Sequence, residues 1–449
     1  MTNNDATPTT PQPATPGPHP RDQVTSRAVT VWAVAVFFYL IAIVGRTSLG
    51  VAGVEAMDRF AIDASRLAVF TSVQLGVYAL AQIPVGLAVD RFGPRKTMIV
   101  GAIIMAVGQV TLALTASYPI AIVARVLIGA GDATAFLSVM RMIPAWFPLK
   151  LTPVFAQLTA GIGTVGQLVS ALPFLILLHA SNWTTAFLSI GAIGVLTALL
   201  GWLALQDTPE EPRRRKAQSA TTTMPKPTAL PLGTSLQLAV AHPATWTGFF
   251  AHFIGLQHMC IFVLLWGMPL MTLGQGLTPN QASSVLVLNA IGMIVFSPVV
   301  GMLSARFGLN RWMLVITATL LLAGSFIGFF LQASPRSFTA VAVLSVILAM
   351  FTPFANVGFD TVREHIDRQV LATGTGVANM GGFVSSMVAS QAFGVLLDHS
   401  AHGAGYAWAD FRFAWIGVAS VWAFGVVGYV VSRLRLHRYL RRQQPTELA

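Results

Sequence analysis

Three ionisable side chains stand where an apolar chain tolerates them least. Arg46 follows the run Val29–Gly45, and Arg125 and Asp132 lie inside the apolar stretch 118–144. A charged group at the centre of a bilayer costs roughly 2.5–3.5 kcal/mol on insertion scales, so each marks a solute pathway or an internal pair. Arg46 offers five donors in a planar fork, suited to a carboxylate or phosphate in a central cavity. It equally suits a gate pair, or a snorkel to the outer headgroups. Asp132 lies two helical turns beyond Arg125, about 10 Å along one face, which makes Arg125 its nearest same-face cation. Such a carboxyl can load and release a proton as the arginine approaches or withdraws. The bland alternative is a static pair between neighbouring helices.

A second set is polar but uncharged. Gln74, Tyr78 and Gln82 recur at i, i+4 and i+8, one stripe on an otherwise apolar segment. Gln157, Gln167, Gln257, His258, Asn289, Asn356 and Asn379 are similarly isolated. Such residues either line a cavity or bond one helix to another. Tyr39 and Trp266 either stack on cargo or anchor the membrane interface. Tyr39, Gln74, Tyr78, Gln157, His258, Asn289 and Asn379 join Arg46 as candidate cargo contacts. His252 and His258 have no carboxylate or cysteine at ligand spacing, so no metal site is expected. There is no G-x-x-x-x-G-K-[ST] phosphate loop. No cofactor is expected, and any work is driven by a solute or ion gradient.

The elements that must position these groups are membrane spans. The chain is 55% apolar and only 10% charged, far from the roughly one quarter charged of soluble domains. Runs near the ~20 residues needed to cross a bilayer must be helical, because lipid offers backbone groups no partners. Twelve are expected: 28–53, 67–88, 97–116, 118–144, 152–178, 183–205, 245–272, 280–303, 312–332, 337–361, 371–396 and 409–433. The net charge of +11 is topology rather than a nucleic-acid footprint. Most basic residues fall on one side if both termini are cytoplasmic: Arg21, Arg27, Arg91, Arg95, Lys96, Arg141, Lys150, Arg213 to Lys216, Arg306, Arg311 and the tail from Arg433. Arg59, Arg66, Arg336 and Arg412 fall on the other, which is the positive-inside pattern. The Pro/Thr-rich start has no signal-peptide pattern and reads as a disordered cytoplasmic tail. Cys260 is the only cysteine, so no intrachain disulfide can form.

Residues 86–96 read Gly-Leu-Ala-Val-Asp-Arg-Phe-Gly-Pro-Arg-Lys, and the frame returns at 301–311 as Gly-Met-Leu-Ser-Ala-Arg-Phe-Gly-Leu-Asn-Arg. A basic loop recurring in each half of the chain between spanning runs indicates a duplicated membrane protein. The small-residue faces Thr159–Gly166 and Thr373–Gly382, on the fifth and eleventh runs, extend the duplication. The first copy resembles, at every position, the G-x-x-x-D-R-x-G-x-R-[RK] loop between the second and third helices of the major facilitator superfamily. Arg125-x-x-x-Gly129-x-Gly131 is similar to that family's fourth-helix motif, whose arginine is linked to proton coupling.

The resemblance covers nearly the whole chain. It implies an all-α integral membrane protein with twelve transmembrane helices in two pseudo-symmetric six-helix halves and both termini cytoplasmic. The divisions expected are a tail over 1–26, halves over 27–205 and 245–433, a charged, breaker-rich linker over 206–244, and a basic tail over 434–449. It further implies gating by Gly86, Asp90, Arg91, Gly93, Arg95, Lys96 and Arg306, with Asp90 and the basic residues making charge and helix-end contacts that close the inner gate. Ala305 stands where Asp90 has its counterpart, so the two copies are unequal. Asp360-x-x-Arg363-Glu364 supplies pairing charges on the other half, or is a plain solvated helix end.

The expected function is secondary active transport of a small organic solute, an organic anion on the strength of Arg46. Uptake with protons is the reading carried by Arg125 and Asp132. The expected unit is a monomer in the cell (inner or plasma) membrane, with the solute, protons and lipid as its partners and no nucleic acid. Some family members that bind sugar phosphates pair a first-helix arginine with one on the seventh helix; His252 and His258 stand there instead. A proton-driven exporter of drugs or metabolites is the alternative, but the Gly-Pro pair of the exporters' fifth-helix signature is absent. A non-transporting sensor is a distant third.

Overall fold

The structure is a computed structural model and describes residues 22–209, 230–401 and 405–443. The N-terminal tail to residue 21 and the charged part of the linker, including Arg213 to Lys216, lie outside the described residues, as does the chain end from 444.

Every regular element among the described residues is helical. Eleven segments are long and apolar enough to cross a membrane. One of them, Pro279–Leu331, runs 53 residues and holds two helices parted by a turn at Gly308–Asn310. The long helices are therefore α1 (Ser26–Val51), α2 (Ala64–Phe92), α3 (Pro94–Leu114), α4 (Tyr118–Trp146), α5 (Thr152–Val169) and α6 (Trp183–Ala204). They continue as α7 (Pro243–Met259), α8 (Pro279–Phe307), α9 (Arg311–Leu331), α10 (Phe338–Phe351), α11 (Leu371–Ala401) and α12 (Trp408–Gln443). Widened turns carry α5 on to Ala180 past Pro173 and α7 on to Leu265, and a tight turn through Pro353 carries α10 into Val357–His365.

Local chemistry sets where these helices begin. Thr25, Asn182 and Ser337 each accept a hydrogen bond from the backbone two or three residues into α1, α6 and α10, filling donors that a helix start leaves free. Thr278 and Gln281 form a reciprocal capping box at α8. Two stretches differ from the expectation. The end of the linker is itself a helix, Leu232–Ala241, a proline-free run in which Leu, Gln and Ala predominate and Gly233 is the one strongly unfavourable residue. The basic tail is the continuation of α12 as far as Gln443, rich in Leu and Arg and free of Gly or Pro after Gly428.

Side-chain polarity is inverted relative to a soluble bundle. Leu80, Ile176, Leu203 and Phe424 are more than half exposed on the outside, while Gln74, Gln82, Arg125, Asp132, Gln157 and Asn379 are buried. A lipid surround accounts for both. Close approach between helices uses small residues: a β-carbon on Gly131 of α4 would lie 2.4 Å from the carbonyl oxygen of Gly101 on α3, and one on Gly376 of α11 would lie 2.4 Å from that of Gln82 on α2.

Both ends of the described chain lie on one face, called here the terminal face. There the start of α1 meets the residues after α6 through Arg27 and Gln206 (2.6 Å), and the start of α7 meets the end of α12 through His242 and Tyr439. Helices α1–α6 and α7–α12 meet near the terminal face in an apolar cluster joining Phe136 and Leu137 of α4 to Phe359, Val362, Leu371 and Ala378.

Candidate transport site and gate

Arg46, Arg125 and Asp132 converge on one point. Arg46 on α1 binds the carboxylate of Asp132 on α4 with two parallel hydrogen bonds, Nε to Oδ2 at 2.6 Å and Nη2 to Oδ1 at 2.9 Å. Asp132 is fully buried and the arginine side chain is 18% exposed. Arg125 therefore does not take the carboxylate; it donates to the backbone oxygens of Arg46 (3.1 Å) and Gly45 (3.5 Å), holding α4 to α1, and its Nε is left without a partner. The three side chains carry two positive charges and one negative when ionised, so the cluster has a surplus cation. A cation buried in a low-dielectric site is stable only with a compensating anion or a strong set of acceptors.

Around this pair the structure separates the uncharged candidates. The Arg46 guanidinium lies 4.3 Å above the Tyr78 ring, within cation–π range. Tyr78 also touches Phe383 of α11, with ring centroids 4.7 Å apart. Asn379 donates to Gln82 (2.8 Å) and to the Tyr78 hydroxyl (3.3 Å), linking α11 to α2. Tyr39 lies two turns from Arg46 on α1, against Phe136, and a β-carbon on Gly163 would meet its ring at 2.5 Å. Gln74 is buried beside Gly129, with both amide atoms unpartnered.

The remaining candidates lie elsewhere. Gln157 is a strut: it donates to the Pro353 carbonyl (2.7 Å) and accepts from Asn356 (3.4 Å). Asn289 donates to the Ser345 carbonyl (2.9 Å), joining α8 to α10. His258 sits among Phe326, Trp415 and Trp422 inside the second half. His252, not among the candidates, packs on Phe359 and on Phe383, whose ring also touches Tyr78. The backbone of Ala355 faces the His252 ring short of a well-formed hydrogen bond.

The repeated loop forms a latch on the terminal face. Asp90 accepts hydrogen bonds from the backbone N–H groups of Ala372 (3.0 Å) and Thr373 (2.8 Å) and from the Thr373 hydroxyl (2.7 Å). It thereby caps the N-terminus of α11, where unpaired donors and the helix dipole favour an anion. Arg141 of α4 stands 3.7 Å from the same carboxylate. Gly86 lets the helices touch: a β-carbon there would lie 2.7 Å from the Thr373 Cα. Gly93, at φ +87°, turns the chain past Asp207, which accepts from the Arg95 backbone N–H (2.7 Å) while the Arg95 side chain reaches the Trp202 carbonyl. Arg91 and Lys96 are exposed.

The second copy repeats the approach and not the cap. A β-carbon on Gly301 would lie 2.9 Å from the Val154 Cα at the start of α5, but Ala305 offers no carboxylate. Arg306 is exposed. The charges here are internal to the second half: Ser304 bonds Asp360, Arg311 bonds Glu364 and the Ser304 carbonyl, and Arg363 bonds Asp360 at 2.7 Å. Between the halves, Phe136 of α4 meets Phe359 edge-on at 5.5 Å. Asp207, Arg141, Thr373 and the Phe136–Phe359 contact escaped the sequence reading because each acts through a partner distant in sequence.

A family model of the Major Facilitator Superfamily matches residues 35–390 and 254–448. Among curated proteins the chain is 25% identical over 381 residues to the probable sulfoacetate transporter SauU of Cupriavidus necator, covering 82% of this chain and 87% of that one. It is 24% identical over 366 residues to the hexuronate transporter of Bacillus subtilis, covering 78% and 83%. Its fold matches the proton:xylose symporter XylE bound to 6-bromo-6-deoxy-D-glucose with a TM-score of 0.70 at 15% identity, covering 92% of this chain and 97% of that one. The chain belongs to the Major Facilitator Superfamily, and it is a multi-pass membrane transporter rather than an enzyme.

Proposed function

We propose that this transporter takes up a small organic anion together with protons, and that Arg46 and Asp132 are its binding and coupling residues. The observation that carries the reading is the bidentate Arg46–Asp132 pair inside an apolar bundle. A carboxylate or sulfonate has the same planar or forked acceptor geometry as Asp132 and competes for the same guanidinium. Once displaced, Asp132 is a carboxylate without a partner in a dry site, and protonation relieves the desolvation penalty. Anion and proton then load together. Their release lets Asp132 rejoin Arg46. The names of the relatives, which carry sulfoacetate and hexuronate, support an organic acid as cargo.

In this reading Pro279–Leu331 crosses the membrane twice, which makes twelve crossings in two halves over 27–205 and 245–433. The terminal face is cytoplasmic, on the positive-inside argument. The Asp90 cap, the Gly86 and Gly301 approaches and the Phe136–Phe359 contact form the closed cytoplasmic gate of an alternating-access cycle. The unit works as a monomer in the cell membrane.

The deciding experiment uses Asp132→Asn in proteoliposomes. The amide stands for the permanently protonated carboxyl, so the variant should still exchange labelled organic anion across the membrane. It should fail to concentrate that anion under an imposed pH gradient. Full accumulation by the variant overturns the coupling role of Asp132.

A further inference from the structure

A cavity of about 550 Å³ opens on the terminal face of the second half, away from the Arg46 site, between the start of α9, the end of the Val357–His365 helix and the last turns of α12. Its wall includes Arg311, Arg433, His437 and Arg441, with Glu364 as its one carboxylate. Glu364 is already bonded to Arg311. Among the described residues no carboxylate pairs with Arg433, His437 or Arg441. Among the described residues the cavity therefore presents two guanidinium groups, Arg433 and Arg441, with no carboxylate partner on one wall.

Its rim has the opposite character. Leu309 is 76% exposed, Leu434 is 52% exposed and Trp312 is more than one-third exposed, and all three line the opening. A tryptophan beside exposed leucines at a helix start belongs to the headgroup level of a bilayer. Arg433, His437 and Arg441 follow one another on α12 at i, i+4 and i+8, so they form one basic stripe facing the cavity. Basic floor, apolar rim and interfacial depth together match an anionic lipid headgroup better than a soluble ion, which has no use for the rim.

We infer that this cavity binds the phosphate group of an anionic phospholipid, through Arg433 and Arg441, with the acyl chains lying over Leu309, Trp312 and Leu434. A basic pocket between helices at the cytoplasmic surface is the kind of place where such headgroups are held. The site is independent of the cargo reading, because none of its residues touches Arg46 or Asp132.

The test is native mass spectrometry of the full-length protein in detergent, titrated with phosphatidylglycerol or with phosphatidylcholine of matched chains. Wild type should retain phosphatidylglycerol over phosphatidylcholine. Each of Arg433→Gln and Arg441→Gln should weaken phosphatidylglycerol retention about five-fold. Arg435→Gln and Arg438→Gln, on other faces of α12, should leave it within about two-fold. Glu364→Gln removes the one competing carboxylate and should strengthen retention. That gain distinguishes the site from mere structural damage, and it remains readable should an arginine variant fold poorly. Equal retention of the two lipids by wild type overturns the proposal, as does phosphatidylglycerol binding unchanged in both arginine variants. Inorganic phosphate displacing the lipid at equal concentration would show that the headgroup alone suffices and would overturn the lipid as occupant.

Discussion

Asp90 accepts two hydrogen bonds from one residue of the other half: the backbone N–H of Thr373 at 2.8 Å and its hydroxyl at 2.7 Å. Hydrogen bonds to a charged group contribute roughly 1.5–3 kcal/mol each, so this cap can decide which side of the transporter is closed. Asp90→Asn should lower the initial uptake rate at least ten-fold while expression stays near wild type. Ala305→Asp should change the rate less than two-fold, since at the start of α5 Pro153 lacks the backbone N–H and Val154 the hydroxyl that Ala372 and Thr373 offer Asp90. Small and equal effects at both positions would reduce the loop to a topology signal.

Gly86 and Gly301 make a second, steric prediction. Both face backbone atoms, Thr373 Cα at 2.7 Å and Val154 Cα at 2.9 Å from an added β-carbon, and backbone cannot swing aside as a side chain can. Overpacking of this kind costs about 1–3 kcal/mol. Gly86→Ala and Gly301→Ala should each cut uptake about ten-fold and raise cytoplasmic-side accessibility to a thiol reagent at an introduced cysteine. Gly324→Ala and Gly328→Ala, which have open space at the same point, should match wild type.

Arg46 separates charge from geometry. Arg46→Lys keeps the cation and loses the fork that grips two acceptor oxygens; cargo affinity should fall ten- to a hundred-fold with transport still measurable. Arg46→Ala leaves the fully buried Asp132 without its partner and should abolish binding of organic anions, as read by thermal shift of the purified protein. Near-native affinity in Arg46→Ala would remove this residue from the site.

The polar candidates divide by position. Asn289→Leu removes a bond to the Ser345 carbonyl inside the second half and should lower the unfolding temperature with cargo affinity unchanged. Tyr78→Ala removes the ring beneath Arg46 and should weaken cargo binding several-fold, in line with a cation–π contact of about 1–2 kcal/mol. Ligand titration of the two variants side by side checks the division.

The spans themselves were written in the sequence, because the demand that lipid makes on the backbone is local: a run of apolar residues of the right length has no stable alternative to a helix. The repeated Gly86–Lys96 frame was equally legible, and with it the family, since short-range motifs survive as spacing along one chain. The caps at Thr25, Asn182 and Ser337, which the structure supplied, are equally local in their chemistry. The tertiary structure decided which charges meet. Asp132 has Arg125 on its own helix, yet its carboxylate is taken by Arg46 from α1, because packing brings that fork within 2.6 Å while Arg125 turns to the α1 backbone. It also sorted the buried amides, sending Gln157 and Asn289 to strut positions and Asn379 to the seam between α2 and α11. Helical periodicity tells which residues share a face. Which face meets which partner depends on contacts between segments far apart in sequence, and no local pattern encodes those.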